Sequence, residues 1–66
     1  MKTIVISKKI KEYRKEYGIT QKQLAELLDV SCQSVSKWER DECYPDIALW
    51  PLIAETIGCS VDDFFA

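Results

Sequence analysis

A chain of 66 residues forms one domain at most, because so short a chain buries only about 60% of the surface that its unfolded form exposes. It contains no histidine, which excludes a His-based catalytic or metal site, and its three cysteines match no zinc-binding spacing. It also lacks a signal-peptide core and an apolar run near the ~18 residues of a membrane span. We therefore expect one domain, residues 1–66, in the cytoplasm, with reduced thiols, no cofactor and no membrane partner.

The charge is unevenly distributed along the chain. The net charge of −2 argues against a polyanionic partner. However, residues 1–40 hold all nine basic residues and five of the eleven acidic ones, whereas residues 41–66 hold six acidic residues and no basic one. Two parts of opposite sign are consistent with one face for a polyanion and another turned away from it, or with chance segregation on a solvated surface.

The first predicted helix runs from Ile6 or Ser7 to Tyr17, and Gly18 is expected to end it in the left-handed conformation. Its apolar stripe has four members: Ile6, Ile10, Tyr13 and Tyr17. Thr20 and Gln23 have the spacing of a capping box, which predicts a second helix from Gln21 to Leu28. Four residues of this second helix are expected in the core: Leu24, Ala25, Leu27 and Leu28.

The third predicted helix is mostly polar. A tight turn at Asp29-Val30 leads to Ser31, which is a good cap for a helix from Cys32 to about Arg40. Only Val35 and Trp38 are strongly apolar within it. A helix that is anchored by two residues and polar elsewhere is expected to lie on the surface of the domain.

The C-terminal part is predicted to hold a loop and two helices. Residues 41–46 form the loop, and Pro51 belongs in a first turn, so the fourth helix begins near Leu49 to Pro51 and ends at Gly58. Its predicted core residues are Ile53, Ala54 and Ile57. Ser60 is the expected cap of a short fifth helix with Phe64 and Phe65. Residues 3–6 are the only stretch that is β-branched enough for a short strand.

The second and third helices, about residues 20–40, form the predicted helix-turn-helix, and positions along nearly the whole chain match one known arrangement in a single register without a gap. The matching residues are Arg14, Gly18-Ile19-Thr20-Gln21, Leu24-Ala25, Val30-Ser31, Val35-Ser36-Lys37-Trp38-Glu39-Arg40, Tyr44-Pro45-Asp46-Ile47, Leu52-Ile53-Ala54 and Gly58-Cys59-Ser60-Val61-Asp62. Over residues 6–65 the chain thus resembles the Xre/Cro-type, or phage-repressor-like, helix-turn-helix regulators. The resemblance implies a compact all-α five-helix domain that binds double-stranded DNA and is not an enzyme.

The resemblance also implies roles for individual residues. The implied base contacts are Cys32, Gln33, Ser36 and Lys37; Gln suits adenine and Lys suits guanine in the major groove. Gln21 is the implied phosphate contact at a helix N-terminus, where the dipole favours an anion. Further phosphate contacts are expected at Lys22, Ser34 and Arg40. An ion pair between Arg14 and Glu39 is expected to join the first helix to the third.

Some residues depart from the family pattern. Asp29 replaces the usual glycine of the turn and must adopt a left-handed conformation, which Asp tolerates better than most residues. Asp41 and Glu42 follow the third helix, so we expect weaker non-specific DNA binding than in a basic relative. Cys32, a thiol at a helix N-terminus, is either a small groove-facing residue or an oxidant sensor.

The sequence therefore predicts a transcriptional repressor that acts as a homodimer on a two-fold symmetric operator. Three aromatic residues either complete the core or form the dimer contact: Trp50, Phe64 and Phe65. The alternative is a protein-interaction module that keeps this fold without binding DNA, which the acidic pI of about 5.0 favours.

Overall fold

The computed structural model describes residues 2–66, and its regular structure there is helical. The four α-helices are α1 (Ile6–Tyr17), α2 (Gln21–Leu28), α3 (Cys32–Glu39) and α4 (Trp50–Ile57). Two short 3₁₀ helices complete them, Ile47–Leu49 and Val61–Phe64. The all-helical class is confirmed. No helix within residues 2–66 is long and apolar enough to cross a bilayer.

The predicted fifth α-helix is wrong. A 3₁₀ helix occupies Val61–Phe64, and Phe65 already has extended backbone angles. The reason is that the C-terminal residues pair with the N-terminal segment. Ile4 and Phe65 form an isolated antiparallel bridge, which is flanked by reciprocal backbone hydrogen bonds of 2.7 and 2.8 Å between Thr3 and Ala66. The β-branched segment at residues 3–6 therefore makes a single bridge instead of a strand.

Local hydrogen bonds fix the two helices at the centre of the fold. In the capping box of α2, the Thr20 hydroxyl accepts a bond of 3.0 Å from the Gln23 amide, and the Gln23 side chain accepts one of 2.8 Å in return. The Ser31 hydroxyl caps α3 by accepting from the Ser34 amide at 3.1 Å. Between the two helices, Asp29 adopts the left-handed conformation with φ of 57°. These caps define the turn that sets α3 against α2.

The core lies between all four helices and includes two aromatic residues from the C-terminal part. Eleven hydrophobic residues of the described chain are buried: Ile6, Ile10, Leu24, Ala25, Leu28, Val35, Trp38, Trp50, Ile53, Ala54 and Phe64. Trp50 meets Phe64 edge-on at 5.8 Å between ring centroids, and its indole N–H donates to the Pro45 carbonyl at 3.0 Å. Phe65 is half-buried beside Trp50. This packing removes Trp50 and Phe64 as candidates for a dimer contact.

Two residues predicted for the core lie on the surface. Leu27 is 57% exposed and Tyr17 is 63% exposed. Leu27 is on the flank of α2, whose buried arc is filled by Leu24, Ala25 and Leu28. Tyr17 occupies the last turn of α1 and packs its ring on Tyr13 at 4.8 Å. Helical spacing puts these residues near an apolar stripe, but it does not show how wide the neighbouring helices make that stripe.

An ion pair joins α1 to the end of α3. The Arg14 guanidinium donates from Nε to Oε2 of Glu39 at 2.6 Å and from Nη2 to Oε1 at 2.7 Å. A third bond of 3.0 Å runs from Nη1 of Arg14 to the Ile19 carbonyl. The Glu39 side chain is only 5% exposed. Burial raises the pKa of the Glu39 carboxyl. The hydrogen bonds from Arg14 and Gln21 and the charge of Arg14 lower this pKa by a larger amount, so that it lies below its ordinary value.

Trp38 is the residue that anchors α3 in the core, so we expect Trp38→Ala to lower the free energy of unfolding by about 3–5 kcal/mol. Leu27→Ala is the matched control, because it truncates an exposed apolar residue on the neighbouring helix and should cost about 0.5 kcal/mol or less. Urea unfolding followed by circular dichroism measures both variants. Equal losses for the two would contradict the burial of Trp38.

The Arg14–Glu39 pair makes stability depend on pH. Because the folded-state pKa of Glu39 is lowered, its contribution is complete above the unfolded value near 4.5 and is lost as the pH falls through the folded value. Glu39→Gln should therefore destabilise by about 1–2 kcal/mol at pH 7, and the difference from wild type should shrink below about pH 4.5.

Urea titrations of wild type and Glu39→Gln between pH 3 and pH 7 measure this difference. Glu26→Gln, at an exposed position of α2, controls for the loss of one charge. A gap between wild type and Glu39→Gln that stays constant over the range would show that the ionised carboxylate is not what holds α3.

Candidate nucleic-acid interface

The outer face of α3 presents a continuous polar stripe. Successive residues of a helix are rotated by about 100°, so residues 33, 36, 37 and 40 share one side, opposite Val35 and Trp38. Gln33 and Lys37 are exposed, and so is Cys32 at the first turn. Ser36 is half-buried. The structure thus brings three of the four predicted base contacts, Gln33, Ser36 and Lys37, to one face, and Cys32 lies at the edge of that face. Gln33 offers an amide there and Lys37 an ammonium group.

Gln21, the predicted phosphate contact at a helix N-terminus, lies at the first position of α2, and its side chain is hydrogen-bonded to α3. Its amide nitrogen donates to Oε1 of Glu39 at 3.2 Å. The Glu39 carboxylate therefore connects α1, α2 and α3 through Arg14, Gln21 and its own helix. Because an amide group has two N–H donors, Gln21 keeps one for another acceptor beside the N-terminus of α2. The sequence gives no local signal for this bond, since 18 positions separate its partners.

The remaining predicted phosphate contacts differ in how they are engaged. Lys22 is exposed on α2. Ser34 is half-buried, and its hydroxyl oxygen lies 2.9 Å from that of Ser31, the cap of its own helix. Ser34 is thus part of the start of α3, and Lys22 is the more accessible of the two.

Arg40, the third of these predicted phosphate contacts, is engaged by side chains of the protein itself. Its guanidinium forms an ion pair with Glu42, and its Nη1 donates to the Ser36 hydroxyl at 2.8 Å. The backbone here closes the C-terminus of α3. The amides of Asp41 and Glu42 donate to the carbonyls of Trp38 and Lys37 at 3.1 and 3.0 Å. Asp41 has φ of 59°, the left-handed conformation of a Schellman cap. Sequence reasoning missed both this cap and the ion pair.

The arrangement can form hydrogen bonds and ion pairs. Within residues 2–66 no group of three or more Cys, Asp and Glu residues is placed to hold a metal ion. All three cysteines are unpaired in this part of the chain, with Cys32 and Cys43 exposed and Cys59 half-buried. Burial raises the pKa of Cys59, which makes its thiol less reactive.

Known proteins resemble this chain in sequence. The helix-turn-helix family model matches residues 10–64. The HTH-type transcriptional activator BcrR of Enterococcus faecalis is 32% identical over 60 residues, which are 91% of this chain and 29% of BcrR. An HTH-type transcriptional regulator of Methanothermobacter thermautotrophicus is 37% identical over 57 residues, with 85% of this chain and 83% of the relative covered. Another, from Rickettsia conorii, is covered over only 48% of its length. This chain therefore spans less than two thirds of BcrR and of the Rickettsia regulator.

Solved structures agree in fold. The P22 c2 repressor, crystallised in complex with a synthetic operator, superposes with a TM-score of 0.82 at 29% identity over 94% of both chains. A transcriptional regulator from Listeria innocua superposes with a TM-score of 0.81 at 29% identity, over 89% of this chain and 55% of that one. These relatives are transcriptional regulators, not enzymes. On the family match and the shared fold, the chain belongs to the Xre/Cro-type helix-turn-helix family of DNA-binding transcriptional regulators.

Proposed function

We propose that this chain binds double-stranded DNA in a sequence-specific manner and represses transcription as a homodimer on a two-fold symmetric operator in the cytoplasm. The observation that carries the proposal is the polar stripe on α3, opposite the buried Val35 and Trp38. A helix of this kind is about 10–12 Å across, which fits the ~12 Å major groove of B-DNA. The similar P22 c2 repressor was crystallised in complex with a synthetic operator, which supports DNA as the partner.

In this proposal the stripe reads the bases. The Gln33 amide pairs with N6 and N7 of adenine, and the Lys37 ammonium donates to O6 and N7 of guanine. Cys32 and Ser36 are small enough to let the backbone of α3 approach the groove, and Ser36 also offers a hydroxyl. Cys32 has this groove-facing role in the proposal instead of a redox role, because a sensor needs a resolving partner.

Phosphate contacts set the orientation of α3 in the groove. The bond from Gln21 to Glu39 supports this role, because it leaves one side-chain amide N–H beside the N-terminus of α2. Lys22 adds a positive charge at the next position, and Ser34 adds a hydroxyl at the start of α3. Arg40 is the last of the set, and its guanidinium is paired with Glu42.

The homodimer and the sign of regulation follow from general arguments. One copy of α3 offers few base contacts, and a two-fold axis doubles them. A domain bound to an operator blocks other proteins from the same DNA, which favours repression. BcrR is named a transcriptional activator, so a reporter assay with and without this chain is needed to decide the sign. A rise in reporter expression would replace repression by activation.

Substitutions should separate base contacts from phosphate contacts. We expect Gln33→Ala and Lys37→Ala each to cost about 1–3 kcal/mol on the cognate site and to relax base preference at one position. Gln21→Ala and Lys22→Ala should weaken binding to all duplexes alike, because phosphates carry no sequence information. Only Lys22→Ala of these two should also flatten the salt dependence, by about 0.9 unit of slope, since Gln21 is neutral.

Selection from a random duplex pool supplies the cognate site, and fluorescence anisotropy on cognate and scrambled duplexes at several salt concentrations measures the four variants. Lys15→Ala, in the last turn of α1, is a matched control for the loss of a surface lysine. Unchanged base preference in Lys37→Ala would make that residue a phosphate contact. Wild-type protein that binds no duplex even at low salt would instead favour the protein-interaction module.

Assembly gives an independent test. Analytical ultracentrifugation with operator DNA should show two copies of the chain per site, and the half-sites should repeat about 34–36 Å apart. Trp50→Ala should unfold the domain without producing a folded monomer, because Trp50 is 5% exposed and packs in the core. A tight 1:1 complex on an asymmetric site would contradict the homodimer.

A further inference from the structure

The C-terminal end of α3 contains an ion pair that lies on the proposed DNA-binding face. The Arg40 guanidinium pairs with the Glu42 carboxylate and also donates to the Ser36 hydroxyl at 2.8 Å. Both charged side chains are largely exposed, at 59% for Arg40 and 52% for Glu42. Arg40 is on the same side of α3 as Gln33 and Lys37. The positive charge nearest the end of the reading helix is thus neutralised by the protein itself.

The backbone holds Glu42 in place beside Arg40. The Glu42 amide donates to the Lys37 carbonyl at 3.0 Å, and Asp41 before it has φ of 59°. Together with the bond from the Asp41 amide to Trp38, these are the two hydrogen bonds of a Schellman cap. Glu42 is therefore part of the cap that ends α3, and its backbone position brings its carboxylate next to the Arg40 guanidinium.

Stability does not account for Glu42. A carboxylate at the C-terminus of a helix opposes the helix dipole, and an exposed ion pair contributes little to folding. The contrast with the Arg14–Glu39 pair is clear, because Glu39 is buried and joins three helices, whereas Glu42 is exposed and its carboxylate pairs with Arg40, a proposed phosphate contact.

We propose that Glu42 restrains the affinity of the protein for DNA by holding Arg40 away from phosphate. This inference rests on the proposed DNA-binding function. The Glu42 carboxylate already neutralises the guanidinium and would repel a phosphate beside it, so a phosphate contact at Arg40 yields little net gain, whether it displaces Glu42 or uses the N–H groups that Glu42 leaves free. The restraint acts on every duplex alike, because phosphates carry no sequence information. It leaves the base contacts of Gln33 and Lys37 to determine which sites are occupied.

The test compares Glu42→Gln with Asp41→Asn by fluorescence anisotropy on cognate and scrambled duplex over a range of salt concentrations. Asp41→Asn is the matched control, because it removes the same charge one residue away and Asn tolerates the left-handed conformation. We expect Glu42→Gln to bind both duplexes about two- to fivefold more tightly than Asp41→Asn. Its salt dependence should be steeper by about 0.9 unit, which corresponds to one additional phosphate contact.

The same comparison in an Arg40→Gln background isolates the pair. There the Glu42→Gln substitution should give no more tightening than Asp41→Asn, and Arg40→Gln alone should weaken binding only slightly. Equal binding by Glu42→Gln and Asp41→Asn, with a wild-type protein that binds duplex, would overturn the restraint and leave the proposed function intact. An advantage of Glu42→Gln that persists without Arg40 would also overturn it. If neither wild type nor Glu42→Gln binds any duplex, the proposed function fails and this inference fails with it.

Discussion

The fold depends on how α3 is held, because this helix has few apolar residues with which to hold itself. Val35 and Trp38 fix its inner side, and the Arg14–Glu39 ion pair fixes its C-terminal end to α1. Ion pairs of this kind add less net stability than apolar packing of the same volume, but removal of one partner leaves a charge without compensation. The pair is therefore best understood as a device that sets position. It fixes the angle of α3 and, through Gln21, the side chain at the start of α2.

Much of the fold could be predicted because its signals are local. Thr20 with Gln23, Ser31, Gly18 and Pro51 mark helix ends within a few residues of themselves, and the structure has α2 and α3 beginning at Gln21 and Cys32 as expected. The predictions that were wrong depend on distant partners. Leu27 and Tyr17 have helical spacing but stay more than half exposed, and Phe65 forms a bridge with Ile4 because the two ends of the described chain meet.

The site shows the same division. The outward stripe of α3 follows from helical rotation alone, so the residues could be grouped before the structure was known. The hydrogen bonds and ion pairs of these residues could not be predicted in the same way. Whether the Arg40 guanidinium is free or paired with Glu42 depends on the left-handed conformation of Asp41. Asp tolerates this conformation, but no feature of the sequence assigns it to position 41. The bond between Gln21 and Glu39 depends on the packing of α2 against α3, which the sequence does not specify residue by residue.

Two carboxylates near the end of α3, those of Glu39 and Glu42, carry the same charge but differ in burial. Glu39 is buried, and three donor side-chain contacts from two helices converge on it, so its effect on DNA binding cannot be separated from its effect on folding. Glu42 lies three residues later on the surface, where its carboxylate pairs with the exposed Arg40. In the proposed restraint, a small domain with little spare stability would alter its affinity at position 42 while position 39 stays fixed. Under the proposed restraint, the acidic residues after α3 are compatible with a DNA-binding role, because Glu42 would lower affinity from outside the helix that is proposed to read the bases.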